Sequence, residues 1–316
     1  MEERTHLRYP RKINIGFQEG TCPLKCRKCL AFSEYAKDKK KVQKMSLDNA
    51  KILIDEISRM EKIPSIQPSI FTEPFANRDL CEIIPYCCNM QIPLNIITNG
   101  ILLDEAWLNL LIQYLGRDSV ISFSLDAVSQ EVYEKVRGNY RLDELEKKIE
   151  YMMENRGNSG PRVGVNFVYE EDNYSEINVF LDKWKYKVDV VRINVALNSQ
   201  RKIPTIYKKE AVNKKSIVCP YLQETMVIDA GGEVRSCQYD AFGITYLGNV
   251  FEEGIMQIWN GEKMEMLRQK HRQNQLISED YCFECEFDRI YNFDRTVEMD
   301  DFILKIADYA VYYNRK

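Results

Sequence analysis

The chain has 316 residues, 45% hydrophobic and 29% charged, with a formal net charge of -4 and a pI near 5.6. That balance suits a soluble globular protein of one large or two smaller domains, and it carries no basic footprint for nucleic acid or an anionic membrane. No run reaches the ~18–20 unbroken apolar residues of a membrane span, and Met1 to Lys12 holds no apolar core for a signal peptide, so a cytoplasmic location is expected.

The ten cysteines are therefore expected as thiols or metal ligands rather than disulfides. From residue 12 to about 197, apolar strand-like runs alternate with helical patterns, as repeated βα units of a parallel sheet do. The first run is Ile13 to Phe17. Cys22, Cys26 and Cys29 follow it in C-x3-C-x2-C spacing. Three thiolates on one tight loop hold three irons of a cubane and leave the fourth open. A structural zinc site would need a fourth nearby Cys or His, which the flanks lack.

Lys37 to Lys44 is a basic segment, read as a solvated connection or a docking surface for an acidic electron donor. Ser46 then caps a helix with Leu47, Ala50, Ile54 and Ile57 on one face. The second run, Ile66 to Phe71, ends in Thr72-Glu73-Pro74, and the third, Ile92 to Ile97, in Thr98-Asn99-Gly100 before a helix with Trp107, Leu111 and Tyr114. Between them, Asp79 to Met90 reads as an outer helix whose Cys81, Cys87 and Cys88 are small buried or half-buried packing residues, a thiol hydrogen-atom donor being the alternative. The fourth run, Val120 to Leu125, ends in Asp126, and helical stretches carry Val132, Val136, Leu142, Leu145 and Ile149. Val163 to Tyr169 and Val190 to Leu197 are the fifth and sixth, with a helix bearing Ile177, Phe180, Leu181 and Trp184 between them. Six units are too few for a closed eight-stranded barrel, so the expected fold is α/β: an open (β/α)6 partial barrel with its site at the carboxyl ends of the strands.

Residues 198 to 216 are polar and without periodicity, which places a boundary between a barrel domain, 1–205, and a small α+β domain, 206–316. The second part is expected to end in a helix from about Met299 to Tyr313. It contains Cys219, Cys237, Cys282 and Cys285, with a hairpin turning at Gly231-Gly232 ahead of Cys237. By ligand count alone this set suits zinc in a four-cysteine ribbon as well as an iron-sulfur cluster. Tyr239 and Asp240 form either a plain turn or a reach toward substrate between the domains. His6 and His271 lie outside every motif.

The first cysteine loop after a first strand resembles the radical S-adenosylmethionine (SAM) superfamily. Cys219-Pro220-Tyr221, Gly232-x4-Cys237, Leu247-Gly248-Asn249-Val250, Ile258-Trp259-Asn260 and Cys282-x2-Cys285 resemble its SPASM/twitch extension, in the shorter form with one auxiliary cluster. Together the resemblance covers roughly residues 12 to 290. It implies two [4Fe–4S] clusters, ligated by Cys22, Cys26 and Cys29 and by Cys219, Cys237, Cys282 and Cys285, and SAM as cofactor. It implies reductive cleavage of SAM to a 5′-deoxyadenosyl radical that abstracts hydrogen, with a flavodoxin or ferredoxin-type electron donor. Thr72-Glu73-Pro74 takes the place of the family's Gly-Gly-Glu-Pro, so Glu73 is implied at the SAM amino group, with Phe71 and Thr72 standing for the glycines. Arg137 is implied at the SAM carboxylate, where a guanidinium fork fits. Lys28 replaces the aromatic that packs near adenine. Ser122 and Ser124, two apart on one strand, present hydroxyls on one face for the ribose, and Asn166 and Asn194 line the same face or fill the barrel mouth.

Four thiolates on the second cluster leave no iron for substrate, so electron transfer is its expected work. The leading expectation is a dehydrogenase or related C–H-modifying enzyme for a small hydroxylated or amino substrate. The alternatives are maturation of a ribosomally made peptide, although about twelve residues before the first strand leave no room for a leader-binding domain, and a non-catalytic zinc scaffold.

Overall fold

The computed structural model describes residues 7–33, 41–196, 219–240, 243–283, 285, 293, 295–307 and 310–316. The first apolar run forms β1 (Lys12–Ile15). The short antiparallel pair β2 (Gln18–Glu19) and β3 (Gln43–Lys44) then closes the base of the cysteine loop, Gln18 opposite Lys44. Helix α1 (Leu47–Ser58) begins where its cap dictates. Ser46 accepts a hydrogen bond from Asn49 N, and Ala50, Leu53, Ile54 and Ile57 are buried along one face.

The alternation continues through β4 (Ser65–Gln67), α2 (Leu80–Asn89), β5 (Asn95–Thr98), α3 (Glu105–Tyr114), β6 (Val120–Ser124), α4 (Gln130–Val136), α5 (Leu142–Asn155), β7 (Arg162–Tyr169), α6 (Ile177–Trp184) and β8 (Val190–Val195). Strand β1 pairs in parallel with β4, a parallel bridge from Ile66 to Leu94 leads on toward β5, and β5 to β8 pair in parallel in sequence order. This is the expected open, six-unit barrel. Ile13, Ile15, Ile66 and Ile96 turn outward into one core with Leu53, Ile84 and Leu111 of the covering helices. Period-2 alternation turns the intervening residues, such as Asn14, Gln67 and Ser122, to the inner face. Cys87 of α2 is fully buried in the helix layer and Cys88 is half-buried, as packing residues of an outer helix would be, whereas Cys81 faces solvent.

Past the barrel come α7 (Pro220–Glu224), β9 (Thr225–Ile228), β10 (Val234–Arg235), α8 (Val250–Glu253), α9 (Ile255–Trp259), α10 (Glu262–Arg272), β11 (Arg295–Glu298), β12 (Phe302–Ala307) and β13 (Ala310–Arg315). Strand β9 lies parallel beside β1, with Asn14 opposite Val227, and β10 folds back on it. The hairpin turns where expected, with Gly232 at φ 86° and Asp229 Oδ1 accepting from Gly231 N and Glu233 N. A side chain at Gly232 would meet the Phe251 ring at 2.4 Å.

The expected terminal helix is not formed. Residues 302–307 alternate buried and exposed in the pattern of a strand, Phe302 and Leu304 inward, Ile303 and Lys305 outward. The edge of β8 supplies partners that a local reading cannot see: β13 pairs antiparallel with it, and β12 and β11 follow. The C-terminal part thus extends the barrel sheet at both edges. The boundary read at 198–216 and the basic residues Lys37 to Lys40 lie outside the described residues.

Arg268, with no exposed surface, braces this part. It donates to Leu222 O at 2.8 Å and to Trp259 O at 2.9 Å and lies 4.5 Å from the Trp259 ring centroid, joining α10 to α7 and α9. Among the described residues, no helix is long and apolar enough to cross a membrane.

Candidate iron-sulfur and SAM site

The loop after β2 is stapled to the segment that follows β4. Thr21 O accepts from Glu73 N at 2.8 Å and from Thr72 Oγ1 at 2.7 Å, while Gly20 N donates to Phe71 O at 3.1 Å. Gly20 sits at φ 78° with a virtual Cβ 2.6 Å from Lys41 O, so a side chain there would break the crossing. Phe71 adopts φ 46°, the left-handed conformation that glycine supplies freely. The backbone shape of the glycine position is kept, while the ring narrows access to it.

Cys22, Cys26 and Cys29 all line one cavity of about 330 Å³, together with Glu73, Ser124 and Arg137. Cys22 Sγ receives hydrogen bonds from Leu24 N at 3.4 Å and Asn99 Nδ2 at 3.6 Å, of the kind that support a metal-bound thiolate. Burial pushes the free Cys22 thiol up to about 12 and raises Cys29 too. A bound cation reverses that preference by replacing the proton. The donor set fits three corners of a cubane and leaves one iron unligated.

Glu73 is 3% exposed. Its carboxylate accepts from Thr98 Oγ1 and, at 2.8 Å, from Asn99 N, so it also positions the turn that carries Asn99 toward Cys22. Burial pushes its carboxyl up to about 7 against the hydrogen bonds from Asn99, Thr98 and Phe75. Arg137 pairs with Asp126 at 3.1 Å. Burial opposes its charge, but Cys26, Asp126 and Tyr133 beside it outweigh that and push it up.

Asp126, at φ 60° and fully buried, is the hub that sequence reasoning passed over. Its Oδ1 accepts from Val168 N at 2.6 Å and its Oδ2 faces Lys28 Nζ at 3.5 Å. Lys28 also pairs with Glu170 at 3.3 Å and donates to Val168 O. An ammonium held by two carboxylates therefore occupies the wall at the position where Lys28 replaces the aromatic. The available signal was an acid closing the fourth strand at the site end of the barrel.

Ser124 lines the cavity, but Ser122 does not. Ser122 is fully buried and accepts from Arg192 Nη1 at 3.0 Å. Asn166 and Asn194 lie on the inner face outside the cavity wall, each with a buried, unbonded Oδ1.

The second cysteine set is built at the other end of β9 and β10. Cys219 precedes α7, Cys237 follows β10, and Cys282 and Cys285 close a turn after α10, with Cys285 N donating to Cys282 O at 3.2 Å. Burial raises Cys282, and Cys237, Cys285 and Cys219 add to it, so all four thiols share one neighbourhood. Cys237 is pushed up to about 12 by burial and by Cys285, while Tyr239 N donates to its sulfur at 3.4 Å. Among the described residues, no three His, Cys, Asp or Glu side chains converge on a point for one ion. A cubane takes one thiolate per iron corner, which a wider ring of sulfurs meets. Asp240 forms the plain turn, accepting from Ile244 N and Thr245 N at 2.9 Å each. Tyr239 instead reaches the wall of the first cavity, with its carbonyl bonded by Tyr281 Oη.

Residues 20–183 match the radical SAM superfamily model, and residues 219–286 match the SPASM iron-sulfur cluster-binding domain. The chain belongs to the radical SAM superfamily. It is accordingly a radical SAM enzyme using [4Fe–4S] clusters and SAM, and not a non-catalytic zinc scaffold. Similar solved structures share the fold at low identity. BtrN in complex with AdoMet and 2-DOIA has 16% identity over 89% of this chain and 95% of its own, with a TM-score of 0.59. Streptococcus suis SuiB bound to precursor peptide SuiA has 17% over 91% and 72%, with a TM-score of 0.67. The enzyme anSMEcpe with bound AdoMet has 15% over 90% and 85%, with a TM-score of 0.64. An uncharacterized protein of Treponema pallidum (strain Nichols) is 23% identical over 260 residues, 79% of this chain and 71% of its own.

Proposed function

We propose that this radical SAM enzyme removes hydrogen from an unactivated C–H bond of a small hydroxylated or amino substrate, in a dehydrogenation or related modification. Cys22, Cys26 and Cys29 hold the cluster with the open iron, and Cys219, Cys237, Cys282 and Cys285 hold the auxiliary one as electron acceptor. When bound, the first cluster and SAM together supply the carbon-centred radical chemistry. Within the cavity, Glu73 receives the amino group of SAM, Arg137 its carboxylate and Ser124 a ribose hydroxyl. Lys28, tied to Asp126 and Glu170, closes the wall that an aromatic would otherwise cover. The reductant is a flavodoxin or ferredoxin-type protein.

The supporting observation is that the Cys22, Cys26 and Cys29 thiols, the Glu73 carboxyl, the Arg137 guanidinium and the Ser124 hydroxyl converge on a single cavity. Tyr239, two residues beyond Cys237, forms part of its wall, so the two cysteine sets flank one space. A walled space keeps a reactive carbon from water. Maturation of a peptide is the second reading, favoured by the likeness to SuiB bound to a precursor peptide and to anSMEcpe bound to Cp18Cys peptide.

Anaerobic reactions with SAM, dithionite and carbon-deuterated polyols, amino alcohols or amino acids test the proposal. Deuterium is expected to move from substrate carbon into 5′-deoxyadenosine. Transfer from peptides alone would replace this reading with the second.

A further inference from the structure

The inner face of the barrel sheet carries positive charge that, among the described residues, no carboxylate pairs with. Register sets Lys12 and Asn14 of β1 beside Ser65 and Gln67 of β4. It sets Arg192 of β8 between Asn166 of β7 and Tyr312 of β13. Arg192 donates to Ser122 Oγ at 3.0 Å and lies 5.8 Å from the Tyr312 ring centroid. Among the described residues, neither Lys12 nor Arg192 has a carboxylate partner.

Burial, with Arg192 adding to it, pulls the Lys12 ammonium down to about 7. Burial lowers Arg192 as well, and Tyr312 and Arg162 are the other groups acting on it. No thiol is among them, so neither cysteine set offers the missing counter-charge. By area both cations are only half-buried, so part of each stays accessible to a ligand. Around them the side-chain oxygens of Asn14, Gln67, Asn166 and Asn194 are buried without a hydrogen-bond partner. Gly164 keeps room there, since a Cβ would stand 2.9 Å from Ser122 Oγ. Two unpaired like charges on one face amid unsatisfied amides are a cost to folding that apolar residues would avoid. A ligand carrying negative charge and polar hydrogens removes it.

We propose that this inner face seats the substrate, and that the substrate bears an anionic group, a carboxylate or a phosphate, held between Lys12 and Arg192. Asn166 and Asn194 take its hydroxyl or amino groups. The inference rests on the reading of the chain as an enzyme for a small hydroxylated or amino substrate, and it adds the charge. Ser122, bonded to Arg192, is two residues before Ser124 on the cavity wall, a rise of roughly 7 Å along the strand. The proposed anion seat therefore adjoins the strand that supplies the cavity wall.

The test is titration calorimetry on the anaerobically reconstituted full chain in chloride-free buffer, with inorganic phosphate and with acetate as probes. Wild type is compared with Lys12→Met, Arg192→Gln and Arg192→Lys. Arg11→Gln is the control, its cation being exposed and paired with Glu224 at 3.4 Å. At least one probe is expected to bind, and which one identifies the group. Binding should weaken about tenfold or more in Lys12→Met and Arg192→Gln, recover in Arg192→Lys and stay unchanged in Arg11→Gln. Binding of neither probe, equal binding in all variants, or an equal loss in Arg11→Gln would overturn the proposal. Each wild-type preparation is also assayed for 5′-deoxyadenosine. Nucleoside without anion binding defeats this inference alone, whereas Lys12-dependent anion binding without nucleoside defeats the functional reading and leaves the anion site standing.

Discussion

Cys22→Ala is expected to lower formation of 5′-deoxyadenosine from SAM by at least about a hundredfold, together with a loss of bound iron. Cys22 is tied both within its loop and to the turn after β5. Leu24 N and Asn99 Nδ2 both donate to its sulfur, and Asn99 is in turn placed by Glu73. Two thiols would remain on the loop, and among the described residues no further Cys or His lines the cavity to replace the lost one. Cys81→Ala, exposed on α2, is the matching control and should leave both readouts unchanged. Nucleoside at the wild-type rate from Cys22→Ala would remove this loop from the chemistry.

Cys282→Ala should give the opposite division: SAM cleavage retained in part, and formation of modified substrate lost by about a hundredfold or more. The separation follows from construction. The first set is held by β2, β3 and the segments that follow β4 and β5, whereas the second is held by α7, the β9–β10 hairpin and the turn after α10, which Arg268 braces from behind. Damage at Cys282 therefore leaves the Thr21 and Glu73 staple intact. Unchanged turnover of substrate would take the auxiliary site out of the reaction, and loss of all SAM cleavage would show that the two sites are not independent.

Much of this architecture is legible in the residues themselves, because local chemistry decides it. Ser46 caps α1, the outward Ile13, Ile15 and Ile66 alternate with inward polar residues, and the cysteine spacings stand on short loops. What escapes a sequence reading depends on partners distant along the chain. Phe302 to Ala307 passes for part of a helix until β8 presents an open edge to β13. Lys28, Asp126 and Glu170 are scattered charges until three loops bring them to one wall. Ser122 and Ser124 share a face as expected, but depth divides them, one serving Arg192 and the other the cavity. The glycine-like turn at Phe71 is hidden for another reason: its residue type argues against the conformation that the crossing at Gly20 requires.

Electron paramagnetic resonance of the dithionite-reduced protein, with and without SAM, bears most directly on the division between an open cluster and a filled one. Two signals are expected. One shifts when SAM is added and is missing from Cys22→Ala, and the other ignores SAM and is missing from Cys282→Ala. A spectrum in which no signal responds to SAM, or a single signal lost in both variants, would contradict the account.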